Sequence, residues 1–151
     1  MIPSYLVDTN IHLRIAQPAS PDHAAARQAV ALLLQEDADL VVALQNLVEF
    51  WAVATRPTAA RGGLGLDHTR ARAELAQIVS LFRLLPDSAG VFPRWLALLD
   101  SPGALGIQAH EARLVATMQE HGMTHILTFN TPDFVRYSGI FAVHPSSVPT
   151  L

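Results

Sequence analysis

Apolar residues along this chain are grouped in two ways. Short runs occur at residues 5–7, 40–42, 81–85, 125–128 and 141–143. Each is bounded by polar or turn-forming residues and is too short for a helix, so each predicts a strand. The segments between them carry a helical pattern. One short helix is expected from Ile11 to Ile15. A longer one runs through Ala24, Ala25, Ala26, Ala29, Leu32, Leu33 and Leu34, with Ser20 or Asp22 as its cap. A third spans about 44–55 and is stopped by Arg56-Pro57. Asp67 caps a fourth, through Arg72, Leu75, Ile78 and Val79. A fifth runs from Phe92 to Leu99, closed by Asp100-Ser101-Pro102-Gly103, and a sixth from Ile107 to Glu120, closed by Gly122. The glycine-rich residues 58–65 read as a mobile surface loop, and they lack the lysine of a phosphate-binding loop. The Ser/Pro-rich tail after Val143 is expected to fray.

Strands that alternate with helices predict an α/β fold, a parallel sheet sandwiched between helices. There is no internal repeat or linker, and 151 residues suit one domain, 1–151, with one core. Composition agrees. Half of the residues are hydrophobic and 15% are charged, which excludes a disordered chain. No apolar run reaches the roughly 18 residues needed to span a bilayer. Met1-Ile2-Pro3-Ser4 does not open a signal peptide, and the absence of cysteine excludes disulfides and thiolate-bound zinc. A cytoplasmic protein with no membrane partner is expected. The net charge is −3, and all ten basic residues are arginine. Lysine-based Schiff-base chemistry is thereby excluded. No overall basic footprint points to nucleic acid. A polyanion could be met only by a local arginine patch or by metal ions held on carboxylates.

Four carboxylates stand where a charge needs a reason. Asp8 ends the first strand and precedes a helix, in Asp8-Thr9-Asn10; its plainest role is a helix cap. Glu49 is the only charge in the apolar run 47–54, a pattern that predicts a helix buried nearly all round. A lone buried carboxylate is costly unless paired or bound to a cation; an arginine such as Arg56 is the simple partner. Glu111 falls on the apolar stripe Ile107, Glu111, Leu114, Val115 and Met118. It also lies near a helix start, where the helix dipole favours an acid. Asp133 follows a predicted strand in Thr128-Phe129-Asn130-Thr131-Pro132-Asp133, with a turn or cap as its plain role. In a parallel sheet all four positions fall at one edge. Four carboxylates in one cleft require a compensating cation, and carboxylate-only donors select Mg²⁺ or Mn²⁺. Zinc is disfavoured because His110-Glu111-Ala112-Arg113-Leu114 lacks the second histidine of a zinc-binding helix. Such a cluster supports phosphodiester hydrolysis by activated water. Arg113 is a candidate phosphate contact or an ion-pair partner. Arg56, Arg61, Arg70 and Arg72 could rim the site or simply be solvated.

Residues 5–10 (YLVDTN), 45–51 (QNLVEFW), 106–116 (GIQAHEARLVA) and 121–134 (HGMTHILTFNTPDF) resemble the PIN-domain ribonucleases, and more narrowly the VapC-type toxins of toxin–antitoxin systems. The resemblance covers nearly the whole chain. It implies a Mg²⁺- or Mn²⁺-dependent endoribonuclease with a PIN-like fold. Asp8, Glu49 and Asp133 match the family's acids. Thr9, Thr128 and Asn130 match polar residues beside them, and Asn10 supports Asp8. The resemblance also implies an RNA substrate, a homodimer and a small antitoxin that blocks the site. One departure stands out: the family typically has aspartate where this chain has Glu111. The extra methylene shifts the carboxylate by about 1.5 Å, which puts full activity in question. A PIN-like module with weakened catalysis and a binding role is the alternative.

Overall fold

The computed structural model describes residues 3–100 and 104–150. Ser101, Pro102 and Gly103, read above as part of a helix stop, lie outside the described residues. Five short strands form one sheet: β1 (Ser4–Val7), β2 (Asp39–Ala43), β3 (Arg83–Leu85), β4 (His125–Leu127) and β5 (Phe141–Val143). All pairings are parallel, in the order β3-β2-β1-β4-β5. Among the described residues six α-helices connect β1 to β4: α1 (Thr9–Ile15), α2 (His23–Gln35), α3 (Leu44–Ala54), α4 (His68–Leu81), α5 (Val91–Leu99) and α6 (Gln108–Glu120); a 3-10 helix over Thr131–Phe134 leads from β4 to β5.

The central strands are apolar at successive positions because both faces of the sheet are covered. Tyr5, Val7, Leu40, Val42 and Leu127 point to one face, where they meet Ile11, Leu13, Ala29, Leu33, Phe50 and Ile78 of α1–α4. Leu6, Val41, Ala43, Leu85 and Ile126 point to the other, against Leu114, Val115 and Met118 of α6, with Trp95 of α5 at the margin. The Trp95 indole N–H donates to the Ala109 carbonyl at 2.9 Å and ties α5 to α6.

Chain direction explains this division. From β1 the chain steps outward to β2 and β3, with α1–α4 on one face. It then returns past β1 to β4 and β5. Crossovers between parallel strands are right-handed, so reversing the direction moves α5 and α6 to the opposite face. The reversal falls between β1 and β4, and the crevice beyond their carboxyl ends is where such sheets bind ligands.

Several local expectations are corrected. The strand expected over 81–85 is only three residues, because α4 continues to Leu81 before the chain extends. The residue Ile107 does not lie on an inward stripe. It precedes α6 and is 78% exposed, while Leu114, Val115 and Met118 are buried. Helix α3 is not buried all round: Val48 is 61% exposed, and the polar Gln45 and Asn46 are buried instead. The glycine-rich loop is held to the end of α3. Leu64, Gly65 and Leu66 donate backbone hydrogen bonds to Val53, Arg56 and Ala54. A Cβ at Gly63 would run into the Arg56 and Pro57 carbonyls. The tail forms a 3-10 helix over Pro145–Thr150 and buries Val148 in the core. None of the helices among the described residues is long and apolar enough to cross a membrane.

Candidate active site

A cleft of about 570 Å³ opens at the carboxyl edge of the sheet. All four acids singled out above line it: Asp8, Glu49, Glu111 and Asp133. Thr9, Asn10, Gln45, Asn130, His110, Arg56 and Arg61 line it as well. Each acid arrives on a different element. Asp8 follows β1 and caps α1, its Oδ1 accepting from the Thr9 backbone N–H at 2.8 Å. Its helix-cap role and its place in the cleft therefore coexist. Glu49 sits in α3, Glu111 in the first turn of α6, and Asp133 in a 3-10 helix over Thr131–Phe134 that follows β4.

Asp8 is the most firmly held. Its Oδ2 accepts from the Thr128 hydroxyl at 2.7 Å and from the Asn10 amide at 3.2 Å. The Asp8 backbone N–H donates to the Leu127 carbonyl, joining the ends of β1 and β4. Thr128 is fully buried and also accepts from the Asn130 backbone N–H at 3.0 Å and the Asn10 amide at 3.1 Å. The Asn10 carbonyl oxygen accepts from the Phe129 N–H at 3.2 Å. Thr9, Asn10, Thr128 and Asn130 thus form one mesh at the junction of the two central strands. Asn130 is exposed and enters the mesh through its backbone N–H.

Glu49 is held from both sides. Its Oε2 accepts from the Thr9 hydroxyl at 2.9 Å, and its Oε1 from the Gln45 amide at 2.8 Å. Asn46 completes this corner by donating to the Thr9 oxygen at 3.2 Å while accepting from the Ala43 N–H. Glu111 has a looser setting, with Arg136 Nη2 4.0 Å from its Oε1.

The acids sense one another. Burial raises Asp8 from the ordinary value near 3.8 to about 6; the hydrogen bonds from Thr128 and Thr9 oppose the rise, and the charges of Glu49 and Asp133 add to it. Glu111 is also raised, first by burial and then by repulsion from Asp133 and Asp8, against the pull of Arg136. Mutual repulsion of this kind is what a bound cation relieves. Among the described residues, however, no three acidic or histidine side chains are gathered tightly enough to enclose an ion. The acids that line the cleft offer oxygen donors only. That suits a hard cation that keeps several waters better than a fully caged one.

Arg113 does not line the cleft. Its Nη1 donates to the Gln45 oxygen at 2.9 Å and its Nη2 to Asp87 at 3.0 Å. Arg56 and Arg61 stand at the cleft, with Arg56 donating to the Arg61 carbonyl at 2.7 Å. Arg70 is turned to Glu74 at 3.3 Å. Sequence reasoning missed Gln45, Asn46 and Arg136. The signal for the first two was present: two amides beside Glu49 in an otherwise apolar helix.

The PIN domain family model matches residues 5–140. Among solved structures, the chain is similar to a toxin–antitoxin complex from Klebsiella pneumoniae, with 25% identity over 93% of this chain and 97% of that one, at a TM-score of 0.63. It is similar to VapC20 of Mycobacterium tuberculosis, described as a sarcin-ricin loop cleaving toxin, with 18% identity over 81% and 86% of the two chains and a TM-score of 0.61. It is also similar to VapBC2 of Rickettsia felis bound to a promoter DNA fragment, with 12% identity over 93% and 98% and a TM-score of 0.69. No curated protein matches the sequence significantly. The family match runs from Tyr5 in β1 through β4 and carries all four acids of the cleft, so the chain belongs to the PIN domain family.

Proposed function

We propose that this protein is a Mg²⁺- or Mn²⁺-dependent endoribonuclease, the toxin of a cytoplasmic toxin–antitoxin pair. The observation that carries the reading is the meeting of Asp8, Glu49, Glu111 and Asp133 in one cleft at the point where strand order reverses. The toxin–antitoxin complexes among its structural relatives agree with it and support an antitoxin as partner; a homodimer as the working unit belongs to the same proposal.

Asp8, Glu49, Glu111 and Asp133 would hold the cation, which would supply an activated water and charge stabilisation. The chain's own groups do the rest. Thr128, Asn10 and the Thr9 N–H hold the two Asp8 oxygens in fixed directions. Thr9 fixes Glu49 relative to Asp8, since the same residue binds both. Arg56 and Arg61 give the cleft a cationic side against which an RNA phosphate can lie. The test is cleavage of single-stranded RNA by the parent and by Asp8→Asn, with single-stranded DNA digested in parallel. The parent is expected to cut RNA in preference to DNA, and the variant to cut neither. Parental RNA cleavage by Asp8→Asn would remove the mechanism, and preference for DNA would remove the substrate.

A second reading is a PIN module with weakened catalysis. Arg136 beside Glu111 and the absence of a tight acidic cluster among the described residues favour it. Calorimetric titration separates the two: no Mg²⁺ or Mn²⁺ uptake at millimolar concentration selects the module.

A further inference from the structure

Gln45 lies at the base of the cleft, 7% exposed, with all its amide atoms engaged. Its nitrogen donates to Glu49 Oε1 at 2.8 Å and to the His110 carbonyl at 2.8 Å. Its oxygen accepts from Arg113 Nη1 at 2.9 Å. Arg113 is held in turn by Asp87, in the segment that follows β3. The four side chains come from three separate stretches of the chain and form one line: Asp87, Arg113, Gln45, Glu49.

From this line we infer that Gln45 and Arg113 are positioning residues that fix the metal-binding carboxylate of Glu49 and its spacing from Glu111. The inference rests on the nuclease reading for its consequence, but not for its geometry. A glutamine amide can turn over and exchange its oxygen and nitrogen at little cost. Here it cannot. Arg113 has only donors to offer, so the Gln45 oxygen must face it. The nitrogen is then left facing Glu49 and His110. The guanidinium charge polarises the amide and strengthens the bonds on the other side. Gln45 is also a brace between layers. It sits on α3, on one face of the sheet, and binds the backbone of α6, on the other, one residue before Glu111. One side chain therefore sets two acids that reach the cleft from opposite faces.

Arg113 is thereby assigned a role that does not touch the substrate. A partner bonded directly to a ligand, as Gln45 is to Glu49, typically changes metal affinity by 10- to 100-fold when removed, and Arg113 acts by holding that partner in place. The experiment compares the full chain with Arg113→Met and Gln45→Leu by two measurements. The first, without metal, follows the Gln45 side-chain amide protons by NMR. In the parent they should be resolved and slow to exchange, and in Arg113→Met they should lose that protection while backbone signals of β1 and β4 stay in place. The second is Mn²⁺ affinity by calorimetry, without RNA. It should fall at least tenfold in each variant and fall no further when the two are combined. Protected Gln45 protons in Arg113→Met would overturn the inference, as would unchanged Mn²⁺ affinity in both variants. A parent that binds no Mn²⁺ would instead overturn the nuclease reading, and the amide protons would still decide the geometry of the line.

Discussion

Replacing Asp8 by asparagine should stabilise the fold while it disables the site. Burial and two neighbouring carboxylates lift Asp8 to about 6 in the folded protein, against about 3.8 for an ordinary aspartate. The gap corresponds to ~3 kcal/mol. The sign follows from proton counting. Between pH 4 and 6 the native state holds a proton on Asp8 that the unfolded state has released. Stability therefore falls as pH rises through this window, and the full cost of the ionised group is present above pH 6. Asparagine removes the charge and keeps an oxygen for the Thr9 N–H. It sacrifices part of the acceptor capacity toward Thr128 and Asn10, a loss of about 1 kcal/mol. The net expectation is a gain of ~1–2 kcal/mol at pH 7.5 that shrinks toward zero or reverses by pH 4.5. Urea unfolding at the two pH values, with a chelator present, measures it. A variant less stable than the parent at pH 7.5, or an advantage independent of pH, would refute the account of Asp8 as a carboxylate under electrostatic load. Adding Mn²⁺ in place of chelator should reverse the order, because ligand that binds only the folded state raises its stability.

Glu111→Asp shortens the side chain by about 1.5 Å and draws it away from Arg136; initial rates of RNA cleavage should equal or exceed those of the parent. Glu111→Ala should lose about 100-fold, and parental rates from the alanine variant would take Glu111 out of the site. Arg61→Gln, measured in the non-cleaving Asp8→Asn background, should flatten the dependence of log affinity for single-stranded RNA on log salt by about 0.7. An unchanged slope would place the Arg61 charge away from the phosphates.

Strands β1, β2 and β4 were legible in the sequence because they are buried on both faces, so their composition alone marks them. Position 81 was not, since Leu81 satisfies an apolar strand and the last turn of α4 equally well, and packing decides between them. The four acids could be found because a charge among apolar neighbours is itself a signal. Helix α3 shows where that signal misleads. Its apolar Val48 faces solvent and its amides Gln45 and Asn46 face inward, because the buried side meets the polar end of the sheet. The place of Gln45 one turn before Glu49 was legible, but its bracing role was not. Its partners His110 and Arg113 lie 65 and 68 residues away, and only the right-handed return of the chain past β1 brings them together. The Glu111–Arg136 pair was hidden because β4 and the 3-10 helix after it separate the two residues along the chain.

Asp8 directly follows the central strand of the sheet, locked to β4 by its own backbone, whereas Asp133 is exposed on a four-residue 3-10 helix. Local opening free energies follow such differences in contact. Displacing Asp8 would break the junction of β1 and β4, whereas displacing Asp133 would disturb one turn, anchored to the core by its neighbour Phe134. The cleft therefore has one wall built into the sheet and one carried on a short turn, and local opening is expected to cost less at the second than at the first.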